Sequence, residues 1–150
     1  MSGIILKNAV IFITGTNRTR GIGRALVEET IKRGAKKIYA TARNTVQLES
    51  LASLYKGVVI PVKLDVTNKN EVYQVAKASS DTQILINNSG LAGYSGICFN
   101  YNEETARQEL EVNYFGQINL IRAFYGALIK NQNSAIANII SIGGLQGKRI

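Results

Sequence analysis

The chain contains no histidine and a single cysteine, and its 10 acidic residues are outnumbered by 18 lysines and arginines. Without imidazole, Ser-His-Asp hydrolysis and every other mechanism with a histidine base are excluded, so any acid–base chemistry must come from another group. Cys98 cannot form an internal disulfide. With no second cysteine and no histidine beside it, no metal site is expected, and Cys98 reads as a half-buried loop thiol. Long apolar runs are missing too. Met1–Lys7 has no basic segment leading into a long apolar stretch, and no later stretch approaches the roughly 18 uncharged apolar residues of a membrane span. A cytoplasmic protein that does not enter membranes is therefore expected. The deficit of acids leaves a net charge of +8, which favours anionic partners. The cations are spread along the chain and form no tail, and no nucleic-acid reader motif accompanies them, so nucleic acid is not an expected partner. Lys32, Arg33, Lys36 and Lys37 fall where a first helix should end, a favourable place for cations on the helix dipole. Arg18, Arg20 and Arg24 form a second group, around the glycine-rich stretch that follows the first apolar run.

What is present fits one globular domain over residues 1–150, with 45% hydrophobic residues. Apolar runs of strand length recur at Ala9–Thr14, Lys37–Thr41, Val58–Leu64, Gln83–Asn87 and Ala135–Ser141. Helical patterns separate them. Ile22, Ala25, Leu26 and Glu29 begin the first, and Gly34 stops it. Asn44 is placed to cap the second, with Gln47 three residues on and Leu48, Leu51, Ala52 and Tyr55 on one face. Asn68 and Glu71 repeat that relation ahead of Val72, Val75 and Ala76. The longest helix is expected from Asn102 to about Lys130, with Glu103 and Glu104 in its positive first turn and Tyr101 packing on Ala106. Such alternation predicts an α/β fold, a Rossmann-like doubly wound parallel sheet, because right-handed crossovers leave little else.

The stretch Thr14-Gly15-Thr16-Asn17-Arg18-Thr19-Arg20-Gly21-Ile22-Gly23 follows the first strand and opens the first helix. Glycines there let the backbone pass close to a pyrophosphate, whose charge is drawn to the free N–H groups at the helix start. In dinucleotide-binding units the residue about 20 positions further on meets the adenosine ribose: an acid for NAD, an arginine for the 2′-phosphate of NADP. Arg43 stands 20 positions beyond Gly23, and no acid lies between Ile38 and Val46. With Arg20 beside the glycines, two guanidiniums are available to clasp that phosphate. NADP is therefore expected over NAD.

These residues, with Leu64-Asp65-Val66, Asn87-Asn88-Ser89-Gly90, Val112-Asn113-Tyr114-Phe115-Gly116 and Asn138-Ile139-Ile140-Ser141-Ile142-Gly143-Gly144, resemble the short-chain dehydrogenase/reductase family over nearly the whole chain. The resemblance implies an oxidoreductase that transfers hydride between a nicotinamide and a carbonyl or alcohol carbon. It implies cofactor contacts at Gly15, Gly21, Gly23, Asp65, Val66, Asn87 and Gly90, and Asn17, Arg20 and Ile22 of the loop and Arg43 join them as expected cofactor-binding residues. Asn88 and Ser89 fit a structural role as well, hydrogen-bonding the turn's own backbone. Asn113 and Ser141 match members of the catalytic set: Asn113 would hold a water of the proton relay at a helix kink, and Ser141 would bond the substrate carbonyl. Asn113 is otherwise a poor helix-interior residue, although a solvent-facing asparagine is the alternative, as a strand-end cap is for Ser141.

Two departures stand out. Five residues separate Gly15 from Gly21 where the family has three, so the added pair either bulges outward or lifts the donors away from the pyrophosphate. In addition, the family's Tyr-x-x-x-Lys should follow Ser141 by a dozen or so residues, whereas the sequence ends at Ile150 and no tyrosine follows Ser141. The expectation is accordingly a sheet truncated after its fifth strand: a cofactor-binding fragment, impaired in catalysis, acting on an unidentified small carbonyl or alcohol and inclined to homo-oligomerise along a bare strand edge. A non-catalytic NADP-binding module and an inactive remnant remain the alternatives.

Overall fold

The computed structural model describes residues 3–93 and 100–141; Cys98 and Ile142–Gly144 lie outside them. Five strands, β1 (Val10–Ile13), β2 (Lys37–Ala42), β3 (Val59–Lys63), β4 (Ile84–Asn87) and β5 (Ala135–Asn138), form one sheet in the order β3-β2-β1-β4-β5. All pairings are parallel. The central strands β1 and β4 are buried at every position, which is why they are continuous apolar runs with no alternation. Pro61 sits in β3, an edge strand, where its missing N–H costs no interior ladder bond. Each strand lies within its expected run, or within a residue of it. β5 ends three residues before Ser141, in register with the end of β4, its one strand partner among the described residues. Asn87 is the last residue of β4, and the Ile139 N–H makes the closing bond to the Asn87 carbonyl at 2.8 Å.

The helices divide between two faces. On one, α1 (Ile22–Lys32) and α2 (Glu49–Leu54) cover Ile11, Ile13, Ile38 and Ala40 through Val27 and Leu51. On the other, α3 (Lys69–Ala78) and α5 (Gly116–Leu128) cover Phe12 and Leu85 with Val72, Ala76, Leu120, Phe124 and Leu128. Phe12 and Phe124 meet tilted, with ring centroids 4.6 Å apart.

Gly34 stops α1 as expected. Its φ is +82°, and the paired bonds Gly34 N–H to Ile31 O and Ala35 N–H to Thr30 O close the helix end. The buried side of α1 differs from the sequence expectation, however. Gly23, Val27 and Thr30 point inward, with Leu26 partly buried, whereas Ile22 is 61% exposed. Ile22 stands at the helix start, where it borders the cavity described below.

Asn44 caps a 3-10 turn at Thr45–Leu48, accepting from the Val46 N–H, before α2 begins. Gln47 does not reach back to close a capping box. Its Oε1 instead accepts a bond from Asn17 Nδ2 at 2.7 Å. Asn68 and Asn102 cap α3 and α4 (Glu103–Leu110) as expected. Tyr101 keeps 59% of its surface exposed, so the expected packing on Ala106 buries little. The long helix is not uniform: α4 passes through a π turn, Glu111–Phe115, into α5.

Candidate cofactor site

The strand order reverses direction between β1 and β4, and a ligand crevice is expected at the carboxyl ends of the strands beside such a switch. A cavity of about 1180 Å³ opens there. Its floor is the loop joining β1 to α1. Gly15 has a φ of +68°, and a Cβ on it would come within 3.0 Å of Ser89 Cα. A Cβ on Gly23 would lie 2.3 Å from the Gly15 carbonyl oxygen and 2.6 Å from Asn88 Nδ2. Only glycine allows the helix start to sit that close to the strand end.

The residues at the end of β4 hold this floor in place. The Thr14 hydroxyl, fully buried, accepts the N–H groups of Asn88 and Ser89 at 2.9 Å each. Asn88 Nδ2 donates to the carbonyls of Thr14 and Gly15. Asn88 therefore braces the neighbouring strand end and not its own turn. Thr14 was not among the expected site residues; a hydroxyl immediately before the first glycine was the available signal.

The longer loop resolves into a local turn. The Gly21 N–H bonds the Arg18 carbonyl at 3.0 Å, which leaves Thr19 and Arg20 as the two central residues of an exposed four-residue turn. The extra length thus bulges outward, while Thr16 stays fastened to the end of β2 by its N–H and hydroxyl on the Thr41 carbonyl. No side chain caps α1 at Gly21, and no acid stands in its first turn. In contrast, asparagines fill that role on α3 and α4. The first N–H groups of α1 remain open toward the cavity, ready for an anion.

Arg18, Arg20 and Arg43 all border the cavity, and among the described residues none of them takes part in an ion pair. At the end of β3, Asp65 Oδ1 accepts from the N–H and hydroxyl of Thr67, while the Asp65 N–H donates to Glu71. The carboxylate is thereby oriented with Oδ2 left over. Asp65, Val66, Asn17 and Gly90 also border the cavity.

Asn87 does not. It is fully buried, its Nδ2 donates to Asn138 Oδ1 at 2.8 Å, and its own Oδ1 has no partner. Its place is between the strands. Asn113 lies in the π turn and clasps the loop after β4: Oδ1 accepts from the Leu91 N–H and Nδ2 donates to the Leu91 carbonyl, both at 2.8 Å. The side chain is exposed at the surface of the turn, yet both of its polar atoms are bonded to Leu91. Its Oδ1 lies 3.5 Å from where a Gly90 Cβ would be. Ser141 is exposed beyond β5 and is not part of the cavity wall.

A five-stranded parallel sheet of order 3-2-1-4-5, with a glycine-floored cavity at its switch point, defines the class of Rossmann-like nucleotide-binding proteins. Within that class, residues 9–149 match the short chain dehydrogenase family. The chain belongs to that family. It is 32% identical over 147 residues to the short chain dehydrogenase tazN of Aspergillus terreus, covering 91% of this chain and 31% of that protein. It is 30% identical over 147 residues to an NADP-dependent 3-hydroxy acid dehydrogenase of Schizosaccharomyces pombe, covering 93% and 56%. Among solved structures, a short chain dehydrogenase from Burkholderia cenocepacia in complex with NADP superposes with a TM-score of 0.82 at 38% identity, covering 91% of this chain and 55% of that one. The chain thus spans about a third to somewhat over half the length of these relatives.

Proposed function

We propose that the chain is the cofactor-binding part of an NADP-preferring oxidoreductase acting on a small carbonyl or alcohol. The observation that carries this reading is the set of three arginines, Arg18, Arg20 and Arg43, that border the glycine-floored cavity and take part in no ion pair among the described residues. A guanidinium offers paired N–H donors to a phosphate, and no carboxylate occupies the segment after β2 where an adenosine ribose would find one. The NADP complex of the Burkholderia relative supports the same preference.

The residues fit the group. Gly15, Gly21 and Gly23 let the loop pass beneath a pyrophosphate, and the open N–H groups of α1 face it. Asp65 and Val66 would meet the adenine, and Asn17, Ile22 and Gly90 also line the cavity. Asn87 would act from behind the cavity, by fixing the β4 turn to β5. Bound NADP supplies the hydride acceptor or donor. Ser141 would then orient the carbonyl oxygen. Asn113 holds Leu91 and with it the loop on which Gly90 stands. Proton transfer would rest on a group outside the constellation formed by Ser141 and Asn113, so a polypeptide of these 150 residues is expected to bind cofactor but to turn over about 10²–10⁴-fold more slowly than a complete site. The whole protein is proposed to be cytoplasmic and homo-oligomeric.

Titrating NADPH and NADH fluorescence against the chain tests the reading. Tighter binding of NADPH is expected, and Arg43→Asp should weaken it about 10- to 100-fold while affecting NADH far less. Failure to bind at millimolar NADPH would overturn the proposal in favour of an inactive remnant.

A further inference from the structure

Resting on that reading, we infer that the hydrogen bond between Asn17 and Gln47 sets how sharply the pocket separates 2′-phosphorylated from unphosphorylated dinucleotides. The arginines proposed to meet the phosphate come from two separate segments. Arg18 and Arg20 stand on the lengthened loop, at the base and tip of its exposed turn; Arg43 follows β2. Backbone bonds fasten the loop to β2 only as far as Thr16. Beyond that residue, Asn17 Nδ2 to Gln47 Oε1 at 2.7 Å is the one side-chain hydrogen bond, among those described, that joins the arginine loop to the segment carrying Arg43. Both anchors are themselves placed. Asn17 directly precedes Arg18, and Gln47 is held on the 3-10 turn that Asn44 caps.

The bond matters because the turn is longer than the family pattern requires. Two more residues give the tip more conformations to lose when a phosphate is gripped, and a tether that fixes the base of the turn lowers that ordering cost before the ligand arrives. The pyrophosphate floor does not depend on it, since Gly15 and Gly23 are fixed by Thr14 and Asn88. Gln47 is accordingly a positioning residue, acting through Asn17, whose effect is expected at the phosphate end of the pocket.

The test titrates NADPH and NADH against the full chain and three variants: Gln47→Leu, which removes the acceptor; Gln47→Asn, which shortens it; and the double variant Asn17→Gln with Gln47→Asn, which moves one methylene from one partner to the other. Gln47 is exposed, so each is expected to fold, and thermal melting checks this. Gln47→Leu and Gln47→Asn should weaken NADPH about fivefold and leave NADH within about twofold, with the double variant restoring the original ratio. Competition by 2′,5′-ADP against 5′-ADP should follow the same order. Unchanged NADPH affinity in Gln47→Leu, equal weakening of both cofactors, or no restoration by the swap would each overturn the inference while leaving NADP binding in place. A parent chain that binds neither cofactor would overturn the functional reading itself, and the tether with it.

Discussion

Gly23 shows how one side chain's absence sets a site. The Gly15 carbonyl and the Asn88 amide occupy the space that any β-carbon would need, at 2.3 and 2.6 Å. Gly23→Ala must therefore push the start of α1 away from the end of β1, at a cost of about 1–3 kcal/mol in stability. The same displacement moves the open N–H groups from the pyrophosphate position. A lowered melting temperature together with loss of NADPH binding is expected, and a variant that melts and binds like the parent would refute the close-approach argument. Thr14 belongs to the same contact. Its hydroxyl serves two backbone donors of the β4 turn, a role that sequence position alone did not disclose, because the partners lie more than 70 residues away.

At the scale of elements, the two ends of the sheet have separate duties. The carboxyl end carries the cavity; at the opposite end Lys37, the first residue of β2, pairs with Asp81 ahead of β4, and Tyr39 donates to the same carboxylate at 2.9 Å. The hydrogen bonds to Asp81 and Tyr39 raise the Lys37 pKa above its ordinary value. For Asp81, partial burial pushes upward, but the bonds from Lys37 and Tyr39 and the lysine charge together bring it below the usual carboxylate range. The sign follows. A depressed carboxyl pKa contributes stability that is present at neutral pH and lost as pH falls through the folded-state value; a raised lysine pKa contributes stability lost as pH climbs through its own. Both groups are partly solvated, so the pair is worth only about 0.2–1 kcal/mol. Asp81→Asn should flatten the acid limb of melting temperature against pH by that amount and leave NADPH affinity untouched; altered affinity would contradict the separation. The π turn at Glu111–Phe115 is the other element-scale device. It places Asn113 against Leu91, so a residue ill suited to a regular helix finds both its donor and its acceptor matched by the backbone N–H and C=O of one residue.

On the scale of the whole molecule, β5 is paired only to β4 among the described residues. Ile136 and Ile140 near its edge are 41% and 69% exposed. Tyr125 and Ile129 of the adjoining helix end border a small apolar groove with Ile136. An apolar edge with unpaired backbone groups is a template for another strand. A polypeptide of these 150 residues is therefore expected to self-associate in light scattering, and a monomer that persists at high concentration would refute this.

The sequence by itself determined the strands, their parallel wound arrangement, the helix stops and caps, and the glycines and arginines of the cavity, because these follow from local patterns: apolar runs, glycine where φ is positive, asparagine ahead of a helix. Family membership was legible for the same reason, since its motifs sit at strand ends. What tertiary structure decided was where polar side chains find partners across the fold. Gln47 turned to Asn17 and not to its own helix start, Asn88 braced β1, Asn87 withdrew between strands, and the added loop residues closed into a turn. Each outcome depends on which distant backbone group is brought within hydrogen-bond reach, and one-dimensional spacing carries no record of that distance.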